Sequence, residues 1–460
     1  MSCHSDNRTI VAQSSPSGQG AIALIRISGQ EAFEICSKFS NLKSSKKLLE
    51  IPSHTICYGT VVDGQSQAID NVLFLVMRGP STFTGQDTIE ITCHNNNFII
   101  EAIISRAIEL GARLAQPGEF SKRAVLAGKI DIVQAEAIKD LLGAQTQQGV
   151  KAALAQVEGS LSRLVQSIEE DLFKLLAFIN ACFEFLDEDV NFDQDISSMV
   201  DAIIKRVVDL KSSHNQQRYL LDGVRIAILG PVNVGKSSLF NALLDQNRAI
   251  VTAIEGTTRD VIESHIFLNS VQCTLVDTAG IRVTDDIVEQ EGIIRSYQEA
   301  TKADIILLVL DGSRVLGQYE QTLLDDFIKQ YGKKIVSVIT KSDLAQIDSS
   351  ILLQNLKTIS LSTKTQQNID QLKLALSGKV EEIMGKFDAP FIINKRQFAI
   401  ITALHADLLV IQSMITEKPI SYELVAHYAQ KAIEDFCQLT GRTIHEKMLD
   451  TIFGEFCIGK

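Results

Sequence analysis

"VRIAILGPVNVGKSSLFNALL", residues 224–244, decides the fold. A β-branched run gives way to Gly-x-x-x-x-Gly-Lys-Ser at 230–237, and an apolar helix opens directly after it. That strand–loop–helix setting separates a phosphate-binding loop from an ordinary glycine-rich turn. The glycines let successive backbone N–H groups close around phosphates, and the helix N-terminus favours their negative charge. Asn233, Val234, Gly235, Lys236, Ser237 and Ser238 are then candidate nucleotide-binding residues. Lys236 is expected to reach the β- and γ-phosphates, and Ser237 to ligate Mg²⁺.

Three later pieces extend the site. "DTAG", 277–280, ends a strand: Asp277 suits the outer shell of Mg²⁺ and the Gly280 N–H suits a γ-phosphate, with Thr278 and Ala279 between them. "EGTTRD", 255–260, places Thr258 where it ligates Mg²⁺ only when a γ-phosphate is present, the way a switch loop senses hydrolysis. "TKSD", 340–343, follows the strand "KKIVSVI". Its Asp343 offers two oxygens to the N1–H and 2-amino group of guanine; adenine has neither donor at those positions. Thr340, Lys341 and Ser342 complete that loop, and Ser362, Thr363 and Lys364 form a last loop that helps hold the base. In this order the pieces resemble the motif series of Ras-like GTPases. Two departures stand out. Thr340 occupies a place usually held by Asn, so one hydroxyl replaces an amide. Ile281 occupies a place where many GTPases carry a water-orienting Gln. Help for catalysis must come from a cation, from Arg282, or from a carboxylate of "RVTDDIVEQEG"; spacing leaves these alternatives open.

The 460 residues allow two to four domains, and 45% hydrophobic with 22% charged residues is an ordinary globular balance. The formal net charge of −12 is wrong for a default nucleic-acid binder, which needs clustered Lys and Arg. Cysteines at 3, 36, 57, 93, 182, 273, 437 and 457 show no Cys-x-x-Cys spacing, which argues against zinc. The N-terminus lacks an apolar signal region, and "ADIILLVL" is too short to span a bilayer. These features together predict a cytoplasmic protein with no membrane partner.

Texture divides the chain into residues 1–120, with strands such as "TIVAQSS", "AIALIRISG", "AIDNVLFLVMRGP" and "DTIEITCH"; a helical stretch, 121–218; a strand–loop–helix unit, 219–382; and a second helical stretch, 383–460. Ile130, Val133, Ala137, Leu141 and Ala144 predict one amphipathic helix. Leu154, Val157, Leu161, Leu164, Ile168, Leu172 and Leu175 predict a second stripe. Val425, Tyr428, Ala432, Phe436 and Leu439 share a face, with Ser421 as N-cap, and "TIHE" at 443–446 predicts a last helix closed by Gly454. Short β-branched runs suit a doubly wound sheet covered on both faces, and helices on either side of it predict an α/β unit inserted into one helical domain.

The C-terminal "EFCIGK" places Cys457 fourth from the end. A prenylation box fits poorly, since Gly459 is not aliphatic and no polybasic run precedes it. A frayed tail with an incidental thiol is the plain alternative.

With the flanking segments "IVAQSSPSGQGAIALIRISG", "FTGQDTIEI", "QPGEFSKRAVLAGKIDIVQAEAI" and "DTAGIRVTDDIVEQEGI" and the terminal "FCIGK", the whole chain resembles the MnmE (TrmE) family of tRNA-modification GTPases. The resemblance implies a multidomain α/β plus all-α architecture. Its parts are an N-terminal folate-binding domain that dimerises, a helical domain, and a Ras-like P-loop G domain inserted in the latter. It implies a homodimer working with the flavoprotein MnmG as a heterotetramer. Together they modify C5 of the wobble uridine of certain tRNAs with a one-carbon unit from a 5-formyl- or methylene-tetrahydrofolate. Arg26, Glu90, Lys129 and Lys460 match folate positions, and Cys457 becomes a reactive or positioning thiol in a tail docked near the folate. Thr252, Ala253, Ile254, Glu255, Gly256, Thr257 and Thr258 match the nucleotide-sensing loop. Asn233, Thr252, Ile254 and Thr257 match a K⁺ site, and Glu289 the water-activating carboxylate. A GTPase switch serving ribosome assembly is the alternative that the G-domain motifs alone leave standing.

Overall fold

The structure, a computed structural model, describes residues 8–44, 46–184, 193–212, 219–220, 223–245, 262–269, 271–277, 297–314, 317–344, 356, 358–384, 391–416, 420–442 and 446–459. The chain divides into two compact units. One contains Met1–Lys139, Gln156–Asp209 and Lys395–Lys460; the other contains Asp140–Ala155 and Leu210–Asn394.

In the first unit a seven-stranded sheet is built from β1 (Ile10–Gln13), β2 (Ile22–Ser28), β3 (Ser40–Leu42), β4 (Thr55–Val62), β5 (Ala68–Met77), β6 (Thr88–His94) and β7 (Arg113–Leu114), in the order β3-β4-β5-β6-β2-β1-β7. Neighbours are antiparallel except β1 with β7. Alternation does the sorting: Val72, Phe74 and Val76 of β5 are buried, while Leu73 between them is exposed. On the buried side lie α1 (Ala32–Ser37) and α2 (Asn97–Glu109), through Phe33, Ile35, Ile100, Ile103 and Ala107. Asn96 caps α2 by accepting the Phe98 N–H at 2.9 Å. The short α3 (Glu119–Leu126) carries a charged knot. Glu119 takes two bonds from Arg113 at 2.6 and 2.7 Å and two from Arg123 at 3.0 and 3.3 Å. Burial pushes the Glu119 carboxyl up, but these guanidinium groups and the Gln116 N–H outweigh it and hold the pKa below the usual range.

The further helices described in this unit are α4 (Ile132–Gly143), which continues past its edge, α6 (Ser160–Glu184), α7 (Asp193–Ser212), α11 (Lys395–Thr416), α12 (Tyr422–Cys437) and α13 (Glu446–Gly454). Leu161, Val165, Ile168, Leu172, Leu175 and Ile179 form the buried stripe of α6. α12 packs against both α6 and α11, so helices from before and after the second unit meet each other. By length and composition α11 is apolar enough to cross a membrane, a property the sequence reading passed over. It buries Ile401, Leu404, Leu408, Ile411 and Ile415 at helical steps, together with the amide side chain of Gln397. Glu136 of α4 clamps its start, accepting from Arg396 at 2.6 and 2.9 Å and from Gln397 at 2.6 Å.

Several expectations need correcting. The stripe begun at Leu154 is not one helix: α5 (Gln147–Val157) ends before Gly159, and Leu154 is exposed. Ile130 precedes α4 and Ala144 follows it. Ser421 sits at the N-cap of α12, yet its side chain makes no capping bond. Gly454 is the last residue of α13, and most of "TIHE" lies outside the described residues.

The second unit is a six-stranded sheet of β8 (Val224–Leu229), β9 (Ile262–Leu268), β10 (Val271–Asp277), β11 (Ile305–Asp311), β12 (Ile335–Thr340) and β13 (Thr358–Ser360). Its order is β13-β12-β11-β8-β10-β9, parallel except for β9 with β10. All seven residues of β11 are buried, because helices cover both faces. On one face Ile226, Ile228, Leu307 and Val309 pack with Leu239 and Leu243 of α8 (Lys236–Asp245) and Leu372 and Leu376 of α10 (Ile369–Met384). On the other, Ala227, Leu229, Leu308 and Leu310 pack with Leu324 and Phe327 of α9 (Gln318–Tyr331). Ala152 and Ala153 of α5 join the first of these cores, and Thr146 Oγ1 donates to Leu220 O at 2.8 Å. Tyr219 and Ile383, near the points where the chain enters and leaves this unit, line one cavity of about 350 Å³.

Candidate nucleotide site and C-terminal tail

β8 runs into the phosphate loop because Gly230 lets the chain pass tightly over β11: a Cβ there would lie 2.1 Å from Val309 O. Asn233 then takes a left-handed conformation, φ +62°, and α8 begins at Lys236. The Lys236 ammonium is folded over its own loop, donating to Gly230 O at 2.9 Å and Pro231 O at 2.6 Å. Burial lowers its pKa and the neighbouring charge of Asp277 partly restores it. Asp277 ends β10, opposite Ile228 at the end of β8, and is buried. Ser237 and Ser238 are exposed in the first turn of α8, where N–H groups lack helical partners. A serine hydroxyl there, a buried carboxylate nearby and a phosphate supply the oxygen ligands that Mg²⁺ prefers.

The base-reading loop is tied to the phosphate loop by two bonds and to the end of β11 by two more. Thr340 Oγ1 lies 2.6 Å from Val234 O and 3.1 Å from Leu310 O, and its one proton serves these carbonyls. Lys341, at φ +59°, donates to Asn233 O at 3.2 Å and to Asp311 Oδ2 at 2.6 Å. Burial pushes the Asp311 carboxyl up, but bonds from Lys341 and Ser313 more than reverse this. Asp311 was not singled out in the sequence, although the strand-ending "LVLDG" marked its place. Asp343 is exposed, and its Oδ1 accepts from Ser362 Oγ at 2.7 Å; that bond, its own backbone N–H and Lys364 hold its pKa below the usual carboxylate value. The Ser342 N–H reaches Leu361 O at 3.2 Å, so the last loop, with Thr363 beside Ser362, is held against the base-reading one.

Thr252, Ala253, Ile254, Glu255, Gly256, Thr257, Thr258, Thr278, Ala279, Gly280 and Glu289 lie outside the described residues, as do Ile281, Arg282 and Lys460.

The proposed folate residues fall in the first unit. Arg26 and Glu90 face each other across β2 and β6, with Arg26 Nε donating to Glu90 Oε1 at 2.7 Å. The Arg26 guanidinium also lies 5.4 Å from the centre of the Phe120 ring, and its Nη1 reaches Gly459 O at 3.5 Å. The Lys129 stem lies against Gly85, and among the described residues no hydrogen bond or ion pair joins Lys129 to Arg26 or Glu90. Cys457 is exposed, and all the described cysteines are free thiols. Ser14 and Gly118, inside segments that carried the family resemblance, touch the tail but were not singled out from sequence.

A phosphate loop, a buried strand-end carboxylate and a guanine-type carboxylate held on one doubly wound sheet define a P-loop guanine-nucleotide-binding protein. The family follows from comparison. A model described as the MnmE helical domain matches residues 132–457, and one described as the GTP-binding protein TrmE N-terminus matches residues 9–129. The tRNA modification GTPase MnmE of Geobacillus thermodenitrificans is 37% identical over 474 residues, covering 98% of this chain and 99% of that protein. Its namesake from Bacillus pumilus is 37% identical over 471 residues, covering 98% and 100%. Among solved structures, an Aquifex aeolicus Era variant matches 41% of this chain and 67% of its own at 24% identity; its TM-score of 0.28 carries no argument. The chain belongs to the MnmE (TrmE) family of tRNA modification GTPases.

Proposed function

We propose that this chain couples K⁺-activated GTP hydrolysis to modification of C5 of the wobble uridine of certain tRNAs. An aminomethyl or carboxymethylaminomethyl group is installed with a one-carbon unit from 5-formyl- or methylene-tetrahydrofolate. The protein works in the cytoplasm as a homodimer, with MnmG as its flavoprotein partner. Residues 1–120 bind folate and dimerise, 121–218 and 383–460 form the helical domain, and 219–382 hydrolyse GTP. Mg²⁺ is held by Ser237 and Thr258, and K⁺ by Asn233, Thr252, Ile254 and Thr257. Glu289 activates the water, which answers the missing Gln at Ile281. Arg26, Glu90, Lys129 and Lys460 bind the folate, and Cys457 acts beside it. The observation that carries this reading is the seating of Gly459 against Ser14 and Arg26, beside Glu90. Nucleotide hydrolysis has no need of these contacts, so they support a second site in the first unit. The net charge of −12 also fits a protein whose partner supplies much of the tRNA-binding surface.

Calorimetry of the full-length protein with 5-formyltetrahydrofolate should show binding that Arg26→Ala weakens about tenfold or more, because a charge-assisted contact is lost. No heat from the wild type sinks the folate site. In the same preparation, replacing K⁺ by Na⁺ at fixed ionic strength should slow GTP turnover about tenfold or more, as loss of a transition-state cation does. Equal rates in the two salts remove K⁺ from the mechanism.

A further inference from the structure

The last residues of the chain are fastened at two points with an exposed stretch between them. α13 lays Leu449 and Phe453, and then Phe456 beyond its end, against Ile132 and Ala135 of α4. The first fastening is Gly118, at φ +66°. Its N–H donates to Cys457 O at 3.3 Å, and a Cβ on it would stand 2.5 Å from Phe453 O and 2.9 Å from Phe456 Cβ. The second is Gly459, buried at φ +92°, where a Cβ would stand 2.2 Å from Gln13 O. Its carbonyl accepts from Ser14 Oγ at 3.0 Å and lies 3.5 Å from Arg26 Nη1. Cys457 and Ile458, between the two, are exposed.

We propose that Ser14 and Gly118 are positioning residues that clamp the C-terminal tail, holding Cys457 in a short exposed arch beside Arg26. The proposal rests on the reading that Cys457 takes part in the uridine chemistry. Both fastenings grip backbone atoms of the tail, so they fix where the arch lies without using the thiol. The ion pairs Lys122–Asp450 at 2.5 Å and Lys139–Glu455 at 2.9 Å also touch this region. Each has an exposed partner, and exposed pairs contribute little. Seating therefore falls on the packing of Phe453 and Phe456 and on the two clamp residues. Arg26 serves the tail carbonyl and Glu90 with one guanidinium, so a ligand that engages Arg26 and the seating of the tail are linked.

The test compares Ser14→Ala, Ser14→Thr, Gly118→Ala and Cys457→Ser in cells that lack the native gene, reading tRNA nucleosides by mass spectrometry. GTP turnover, melting temperature and hydrogen exchange are then measured on the purified full-length proteins. Ser14→Ala should speed amide exchange in the tail about fivefold, the effect of losing one ordinary hydrogen bond. It should cut modification by a similar factor and leave GTP turnover and melting within error. Ser14→Thr restores the hydroxyl and should restore modification, which a purely structural loss would not explain. Gly118→Ala, whose added carbon collides with the tail backbone, should have the larger effect on both exchange and modification. Normal nucleosides in Cys457→Ser cells would overturn the underlying reading and the clamp with it. Lost modification in Cys457→Ser with normal modification in both Ser14→Ala and Gly118→Ala would overturn the clamp alone.

Discussion

Asp343→Asn should lose GTP by about 100-fold or more and gain xanthosine triphosphate, because a site built to pair with specific donors rejects bases that lack them. The geometry favours a clean exchange. Ser362 Oγ already donates to Asp343 Oδ1, and the side chain is exposed. In the variant the amide oxygen can keep the Ser362 bond, leaving the amide NH₂ to face the base. A donor there meets the 2-oxo group of xanthine and repels the 2-amino group of guanine. The carboxylate of the wild type is held ionised by Ser362, by its own N–H and by Lys364, so guanine preference should persist below the usual carboxylate range. Competition binding with the two triphosphates measures the switch; full GTP affinity in the variant would sink the assignment.

Lys236→Met should bind guanine nucleotide in the same loop yet hydrolyse GTP about 100- to 1,000-fold more slowly, as removal of a preorganised charge from a phosphoryl-transfer site does. Methionine keeps the length of the stem and discards the ammonium. The carbonyls of Gly230 and Pro231 lose their donor but sit at the edge of the loop, so the variant should remain folded. Single-turnover hydrolysis, with melting temperature alongside, separates chemistry from unfolding. Unchanged turnover in Lys236→Met would remove the loop from catalysis.

The nucleotide loops were legible because phosphates and guanine impose residue types at fixed places. Gly230 is needed where the chain crosses Val309 O, and a strand-end Asp occupies position 277. The apolar run of β5 was equally plain, although its residues do not alternate in polarity and the sequence left open which of them face the core. β4 was harder, since Gly59 interrupts it and Ile56 and Tyr58 point to an exposed face. The join at Gly159 was missed because α5 and α6 happen to continue the same three- and four-residue spacing across the two-residue turn between them. That α5 belongs with the nucleotide unit could not be read from periodicity. Its partners, Leu220 and Val271, lie far along the chain, and local pattern carries no record of which core a stripe joins. The tail clamp was hidden for the same reason: Ser14 and Gly459 are 445 residues apart.

The placement of α5 governs how this protein can be taken apart. Tyr219 and Ile383 line the same cavity, so a short linker could bridge the cut ends if residues 219–382 were excised, at little cost in loop closure. The remnant would still carry Asp140–Ala155, with Ala152, Ala153 and Leu141 stripped of the sheet they pack against. Thr146 would lose Leu220, and its bridge to Val271 would go as well. A newly bared apolar strip of this kind invites aggregation. In the reverse experiment, an isolated 219–382 fragment would lack the Ala152, Ala153 and Leu141 contacts of its own core. The transplantable module is therefore discontinuous, and a shuttle that moves the nucleotide unit between relatives must carry the helix at 140–155 with it.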